Sequence, residues 1–114
     1  MFVATLSYEL DASTSTQAAK LLRAELVGRR YNDHYEGKPM PLGCLWIQRS
    51  TDPGETVDHL LAKSEREIHA AVAAVAGRGL PIGLARAWVQ VSGAGTWGLV
   101  RPLGVGLPEA SKKV

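Results

Sequence analysis

Two carboxylates lie where the first predicted strand ends, at Glu9 and Asp11. A carboxylate just ahead of a helix N-terminus could hold a divalent ion or orient water, especially if a two-fold axis brings a second copy opposite. The alternative is that Asp11 only caps the helix or closes a turn. Asp11 is therefore a candidate catalytic residue, and a divalent ion at Asp11 is the only cofactor that the sequence suggests.

A second group of reactive side chains lies in residues 29–38, RRYNDHYEGK, the most polar part of the predicted fold. Arginines hold phosphates, tyrosines stack on unpaired bases, and histidine can act as an acid or base near neutral pH. The candidate RNA-binding residues are Arg29, Arg30, Tyr31, Tyr35 and Lys38, and the candidate catalytic residue is His34. The alternative is a solvated hairpin with no ligand.

Composition limits the class of protein. The chain has 114 residues, 46% of them apolar and 21% charged, which is typical of one soluble domain. Its single cysteine, Cys44, excludes an internal disulfide and every multi-cysteine metal motif, and we expect it in the core. The net charge of +2 permits nucleic-acid binding without requiring it. No membrane segment or signal peptide is predicted, so a cytoplasmic location is expected.

The most regular stretch runs from Asp52 to Gly79 and predicts one long helix. Asp52 is the expected N-cap, with Pro53 at the first helical position. Apolar residues recur every three or four positions, so one face of this helix should be buried. Gly77 or Gly79 is expected to end it. A helix with one apolar face must pack that face against another element, and we expect that element to be a sheet.

The remaining segments predict the other elements of an α+β domain. Residues 2–10 alternate as a strand, residues 15–27 form an amphipathic helix, and residues 42–49 and 86–92 read as further strands. The polar run could be a loop or a strand that pairs with residues 42–49. The resulting order is ferredoxin-like, βαββαβ, with both helices on one face of an antiparallel sheet. A short extra strand is expected near residues 96–103, which closes a domain of residues 1–103 before a flexible tail, residues 104–114.

Indoles are expected on the sheet face that the helices leave uncovered. Trp46, Trp88 and Trp97 fall out of phase with the Ala and Val rows of their strands. A face with two or three indoles is too apolar to stay wet, so a homodimer through this face is predicted.

The run FVATLSYELD, the helix segment LLRAELVG and the strand LGCLWIQRS carry a resemblance. Over roughly residues 1 to 92 the chain resembles the small dimeric CRISPR-associated nuclease-fold family and the related VapD-type and GhoS-type toxin–antitoxin ribonucleases, with the GhoS type closer. The resemblance implies a ferredoxin-like dimer that acts on RNA, and it matches Asp11 to the metal-binding aspartate of the CRISPR-associated members. The chain lacks their usual Tyr-Asp pair and a clear second acidic partner.

The function expected from the sequence is a small dimeric RNA-binding protein of bacterial toxin–antitoxin type that could also be an endoribonuclease. One alternative is a non-catalytic protein-interaction module that uses the Trp-bearing sheet face. A second alternative is a dimeric ferredoxin-like enzyme, or a binder of a small molecule between the sheet and the helices.

Overall fold

The structure is a computed structural model, and it describes residues 2–93. It has an α+β architecture, and its elements in chain order are β1 (Phe2–Leu10), α1 (Thr16–Gly28), β2 (His34–Tyr35), β3 (Lys38–Pro39), β4 (Cys44–Arg49), α2 (Val57–Ala76) and β5 (Leu84–Gly93). The strand predicted at residues 96–103, the tail at residues 104–114 and Trp97 lie outside the described residues.

The main sheet has the strand order β4-β1-β5, and both pairings are antiparallel. Leu6 in the middle of β1 lies opposite Leu45 on one side and Val89 on the other. The three strands predicted at residues 2–10, 42–49 and 86–92 are therefore confirmed as one antiparallel sheet. β2 and β3 form a separate two-stranded hairpin, and an isolated bridge joins Asn32, just before this hairpin, to Trp46 on β4.

The core lies between one face of this sheet and both helices. Alternate residues of β1, such as Ala4 and Leu6, point toward the helices and are almost completely buried. The helices contribute Ala18, Leu22 and Leu26 from α1 and Ile68, Ala71 and Val75 from α2 to the same cluster. The two helices thus cover the same face of the sheet, as the sequence predicts.

The first helix begins as expected, whereas the second begins later than predicted. The Ser15 hydroxyl caps α1 by accepting a hydrogen bond from the Ala18 N–H at 3.1 Å. The N-cap of α2 is Thr56 rather than Asp52, because Gly54 adopts a φ of +86° that no helix continues through. Gly77 is the C-cap of α2, as predicted. No helix within residues 2–93 is both long and apolar enough to cross a bilayer.

The turn after β1 is joined to the turn before β5. The Asp11 N–H donates to the Gly83 carbonyl at 2.8 Å, and the Gly83 N–H donates to the Thr14 hydroxyl at 3.0 Å. The α-carbon of Gly83 faces the Asp11 carboxylate so closely that a Cβ there would overlap it. These contacts fix the end of β1 against the start of β5.

Gly43 is required for the turn that leads into β4. Its φ is +79°, and a Cβ at this position would lie 2.6 Å from the Tyr8 carbonyl oxygen. Gly43→Ala is expected to lower the free energy of unfolding by about 2 kcal/mol, because it adds backbone strain and a clash with β1. Urea denaturation measures the change.

Gly37 provides the matched control for Gly43. Its φ is nearly the same, +78°, but a Cβ at this position would meet no atom within 4 Å. Gly37→Ala should therefore cost only the backbone strain, about 1 kcal/mol. Equal costs for the two substitutions would show that the contact with Tyr8 contributes nothing.

Candidate functional site

The Asp11 carboxylate is occupied by its own turn. Its Oδ1 accepts hydrogen bonds from the Ser13 N–H and hydroxyl and from the Thr14 hydroxyl. The hydrogen bond from the Ser13 hydroxyl is the main cause that holds the pKa of Asp11 below its ordinary value. Glu9, the neighbouring carboxylate, forms an ion pair with Arg86 at 2.8 Å. The observed contacts of Asp11 are those of a turn residue.

A divalent cation fits this position poorly. Calcium and magnesium ions take about six or more oxygen ligands, several of them from the protein or from ordered water. Among residues 2–93 there is no group of three or more His, Cys, Asp or Glu side chains that could hold a metal ion. A single carboxylate that already accepts three hydrogen bonds does not make such a site, so we assign no step to a metal.

The polar run of residues 29–38 divides between the surface and the interior. Arg30 is exposed and has a φ of +78°, and Lys38 is also exposed. Arg29 lies 3.8 Å from Glu25 across one turn of α1. Tyr31 behaves differently, because only 2% of it is exposed. A base cannot stack on Tyr31 without opening the core, so this candidate RNA contact is corrected.

Tyr31 instead belongs to a polar cluster beneath α2. Its hydroxyl donates to Glu67 Oε1 at 2.8 Å, and the Arg49 guanidinium donates to Tyr31, Ser64 and Glu67. Arg49 is largely buried, with 10% of its side chain exposed. Burial is the main cause that raises the pKa of Tyr31, so the phenol stays protonated at neutral pH. We call Tyr31, Arg49, Ser64 and Glu67 the Arg49 cluster.

His34 lies in a chain of charged groups on the hairpin. Its Nδ1 is 2.8 Å from Asp33 Oδ1, and Arg23 Nε is 3.7 Å from the other oxygen of that carboxylate. The hydrogen bond with His34 is the main cause that lowers the pKa of Asp33, which is therefore ionised at neutral pH. An ionised carboxylate only accepts hydrogen bonds, so Nδ1 of a neutral His34 donates and Nε2 is left as the proton acceptor.

Tyr35 and Trp46 contact each other at the rim of the sheet. Their rings meet edge to face with centroids 5.9 Å apart and planes at 68°. The Trp46 indole N–H donates to the His34 carbonyl at 2.9 Å. The Asn32 N–H donates to the Trp46 carbonyl at 2.7 Å. The hairpin is therefore anchored on Trp46, and its candidate residues His34 and Tyr35 lie beside the face that carries Trp46.

The sheet face opposite the helices, which we call the outer face, carries two of the predicted indoles. In the observed register Trp46 lies opposite Thr5, and Trp88 lies opposite Ser7. Trp88 is 67% exposed, while Trp46 is half-buried. The described residues of the outer face are Val3, Thr5, Ser7, Glu9, Cys44, Trp46, Gln48, Arg86, Trp88, Gln90 and Ser92. Cys44 thus lies on this face rather than in the core.

Sequence reasoning selected His34 but missed Asp33, which contacts its ring. The adjacent Asp-His pair was the available signal. The sequence suggests Arg23 only as one of several cations that would extend the polar run if they share a side, and the structure brings it to the Asp33 carboxylate. A search of protein-family models, curated proteins and solved structures finds no significant match to this chain. The function must therefore be inferred from the outer face and the hairpin themselves.

Proposed function

We propose that this protein binds single-stranded RNA across the outer face and the adjoining hairpin. The observation that carries the proposal is the 67% exposure of Trp88 on β5, on a face that carries a second indole, Trp46. Exposed aromatic rings on a sheet are stacking platforms for unpaired bases, each worth about 1 to 3 kcal/mol. Trp46 is on β4 and Trp88 is on β5. Because β1 lies between these two strands, the strands are roughly 10 Å apart.

The surroundings of Trp88 favour a nucleic acid over a permanent protein interface. Polar side chains occupy most of the outer face, including Thr5 and Ser7 on the neighbouring β1 and Gln90 on the same strand as Trp88. Obligate homodimer interfaces are mainly apolar at their centre. Hydroxyl and amide groups interleaved with indoles can instead bond to base edges while the indoles stack.

The hairpin supplies cations beside this platform. Arg30 and Lys38 are exposed, and neither forms an ion pair with any residue that the structure describes. Both can therefore contact phosphates that pass the hairpin. Tyr35, which packs against Trp46, extends the aromatic surface from the sheet toward these cations.

A ferredoxin-like architecture is the fold that we propose for this platform. The supporting feature is the bridge between Asn32 and Trp46, which places residue 32 on the outer edge of β4. If this bridge is what remains of a further strand, the strand order of the sheet is that strand, β4, β1 and β5. This is the order of a βαββαβ sheet, and it agrees with the resemblance to toxin–antitoxin ribonucleases.

The proposal is tested by anisotropy of a fluorescently labelled single-stranded RNA at two salt concentrations. We expect binding that weakens with salt, because phosphate contacts release counterions. Trp88→Ala should bind about tenfold more weakly at both salt concentrations, since a stacking contact is lost and no charge is removed. Val27→Ala is the control, because Val27 is an exposed apolar residue on α1, and it should bind as wild type does.

The predicted homodimer uses the same face, so one preparation distinguishes the two functions. Sedimentation of the protein without RNA gives its mass. A dimer that Trp88→Ala separates, together with no RNA binding, would replace the proposal with the protein-interaction module. RNA binding that Trp88→Ala leaves unchanged would also contradict it, because the stacking platform would not be involved.

RNA cleavage is a second candidate function, and the contact between Asp33 and His34 favours it. A histidine oriented by a carboxylate is the usual arrangement of a general base. His34 could take the proton from the ribose 2′-hydroxyl next to a phosphate, and the 2′-oxygen then attacks the phosphorus. The bond between the phosphorus and the 5′-oxygen of the next nucleotide breaks, that oxygen takes a proton from water, and a cyclic phosphate remains on the first ribose. Arg30 and Lys38 lie in the same hairpin segment and could stabilise the charge that develops on the phosphate.

A further inference from the structure

A cavity of about 400 Å³ lies on the helix side of the sheet, opposite the outer face. It is formed where the end of β1, helix α1 and the turn before β4 meet. The volume falls within the range of about 300 to 1,000 Å³ that small-molecule sites occupy. The space could therefore hold a small organic molecule.

The walls of this cavity are mainly apolar. Tyr8 and Leu10 from β1 form its base, and Leu42 forms part of its rim. Leu42 is 90% exposed, more than any other large apolar residue in the described part of the chain. Burial raises the pKa of Tyr8, and the charge of Arg23 acts against that effect. An apolar ligand body would cover Leu42 and remove its surface from water.

Two cations of α1 line the same cavity, Lys20 and Arg23. Arg23 Nη2 donates to the carbonyl oxygens of Asp33 and Met40, both at 3.3 Å. Its Nη1 is buried and has no hydrogen-bond partner among residues 2–93. Nη1 itself is closed off from solvent, but the Arg23 side chain is 18% exposed, so its charge can act on an anionic group of a ligand beside Lys20. No carboxylate is among the residues that line the cavity.

We infer that this cavity binds a small organic anion, a carboxylate or sulfonate attached to an apolar ring or chain. The apolar body lies against Tyr8, Leu10 and Leu42, and the anionic group lies beside Lys20 and Arg23. The inference does not rest on RNA binding. Arg23 also contacts Asp33 in the hairpin, so substitutions at Lys20 and Leu42, which have no contact with His34 in the described structure, separate the two proposals.

A matched pair of fluorescent probes tests the inference. Anilinonaphthalene sulfonate carries the anionic group, and phenylnaphthylamine has the same aromatic body without it. We expect one molecule of the sulfonate to bind per chain, and the neutral probe to bind at least about fivefold more weakly, because it gains nothing from Lys20 and Arg23.

Two substitutions locate the bound probe without disturbing the core. Lys20→Ala should weaken the sulfonate about fivefold and leave the neutral probe unchanged. Leu42→Ser should weaken both probes about tenfold, since both use the apolar rim. Lys63→Ala, which removes a lysine from α2, is the control and should bind both probes as wild type does. Sulfonate binding that neither Lys20→Ala nor Leu42→Ser reduces, or equal affinity for the two probes, would overturn the inference.

Discussion

Replacing Glu67 with leucine is expected to lower the free energy of unfolding by about 3 to 5 kcal/mol. The substitution removes the carboxylate that pairs with Arg49, whose side chain is only 10% exposed. The guanidinium charge would then stay in the interior with only the hydroxyls of Tyr31 and Ser64 as observed partners. The margin of a domain is about 5 to 15 kcal/mol, so thermal unfolding should begin far below the wild-type temperature.

The double variant Arg49→Met with Glu67→Leu is the control for this expectation. It removes both charges and fills their space with apolar atoms, which is often neutral or stabilising in other buried pairs. Its stability should therefore lie well above that of Glu67→Leu alone. A thermodynamic cycle by urea denaturation gives the coupling between the two residues. Costs that simply add would show that the Arg49 cluster does not act as a unit.

Replacing His34 with alanine is expected to slow RNA cleavage about a hundredfold or more, with RNA binding within about twofold of wild type. The structural reason is the 2.8 Å contact between His34 Nδ1 and Asp33, which leaves Nε2 as the proton acceptor. The pKa of Asp33 is lowered, so the carboxylate that accepts from Nδ1 stays ionised at the neutral pH of the measurement.

Two variants check the assignment of His34. His69→Ala removes an exposed histidine from α2 and should leave cleavage unchanged. Asp33→Asn keeps the size of the side chain but loses its charge, so it should reduce the rate less than His34→Ala does. A rate that is the same in wild type and His34→Ala, measured on purified protein, would contradict the assignment of His34 as the general base.

Much of the fold follows from local sequence patterns. The alternation in residues 2–10 and the three- and four-residue spacing from Leu60 to Val75 each predict an element and its buried face. The sequence predicts the start of α2 too early, because Asp52 and Glu55 have the spacing of a capping box. Their hydrogen bonds close a separate turn, in which the Asp52 N–H donates to the Glu55 carboxylate at 2.8 Å. The left-handed Gly54 between them could not be recognised from spacing alone.

The candidate site was less predictable because its contacts join distant segments. The sequence places Tyr31 in a polar surface run, because its neighbours in sequence are polar. Its partners are Arg49 on β4 and Glu67 on α2, and only the folded chain brings the three side chains together. By contrast, the indoles of Trp46 and Trp88 were assigned to the outer face correctly, because strand alternation depends on adjacent residues alone.

The contact between Asp11 and Gly83 has a consequence for how this sequence can change through evolution. Any side chain at position 83 would occupy the space that the Asp11 carboxylate now fills. The Thr14 hydroxyl accepts from the backbone N–H of residue 83, which every residue except proline supplies, so this hydrogen bond does not restrict position 83 to glycine. A larger residue at 83 would instead require the exposed Asp11 carboxylate to turn away from Ser13 and Thr14, or a smaller residue at 11. Positions 11 and 83 are therefore expected to covary among homologues, and such a pair would mark descent of the fold even in relatives whose outer face has lost both indoles.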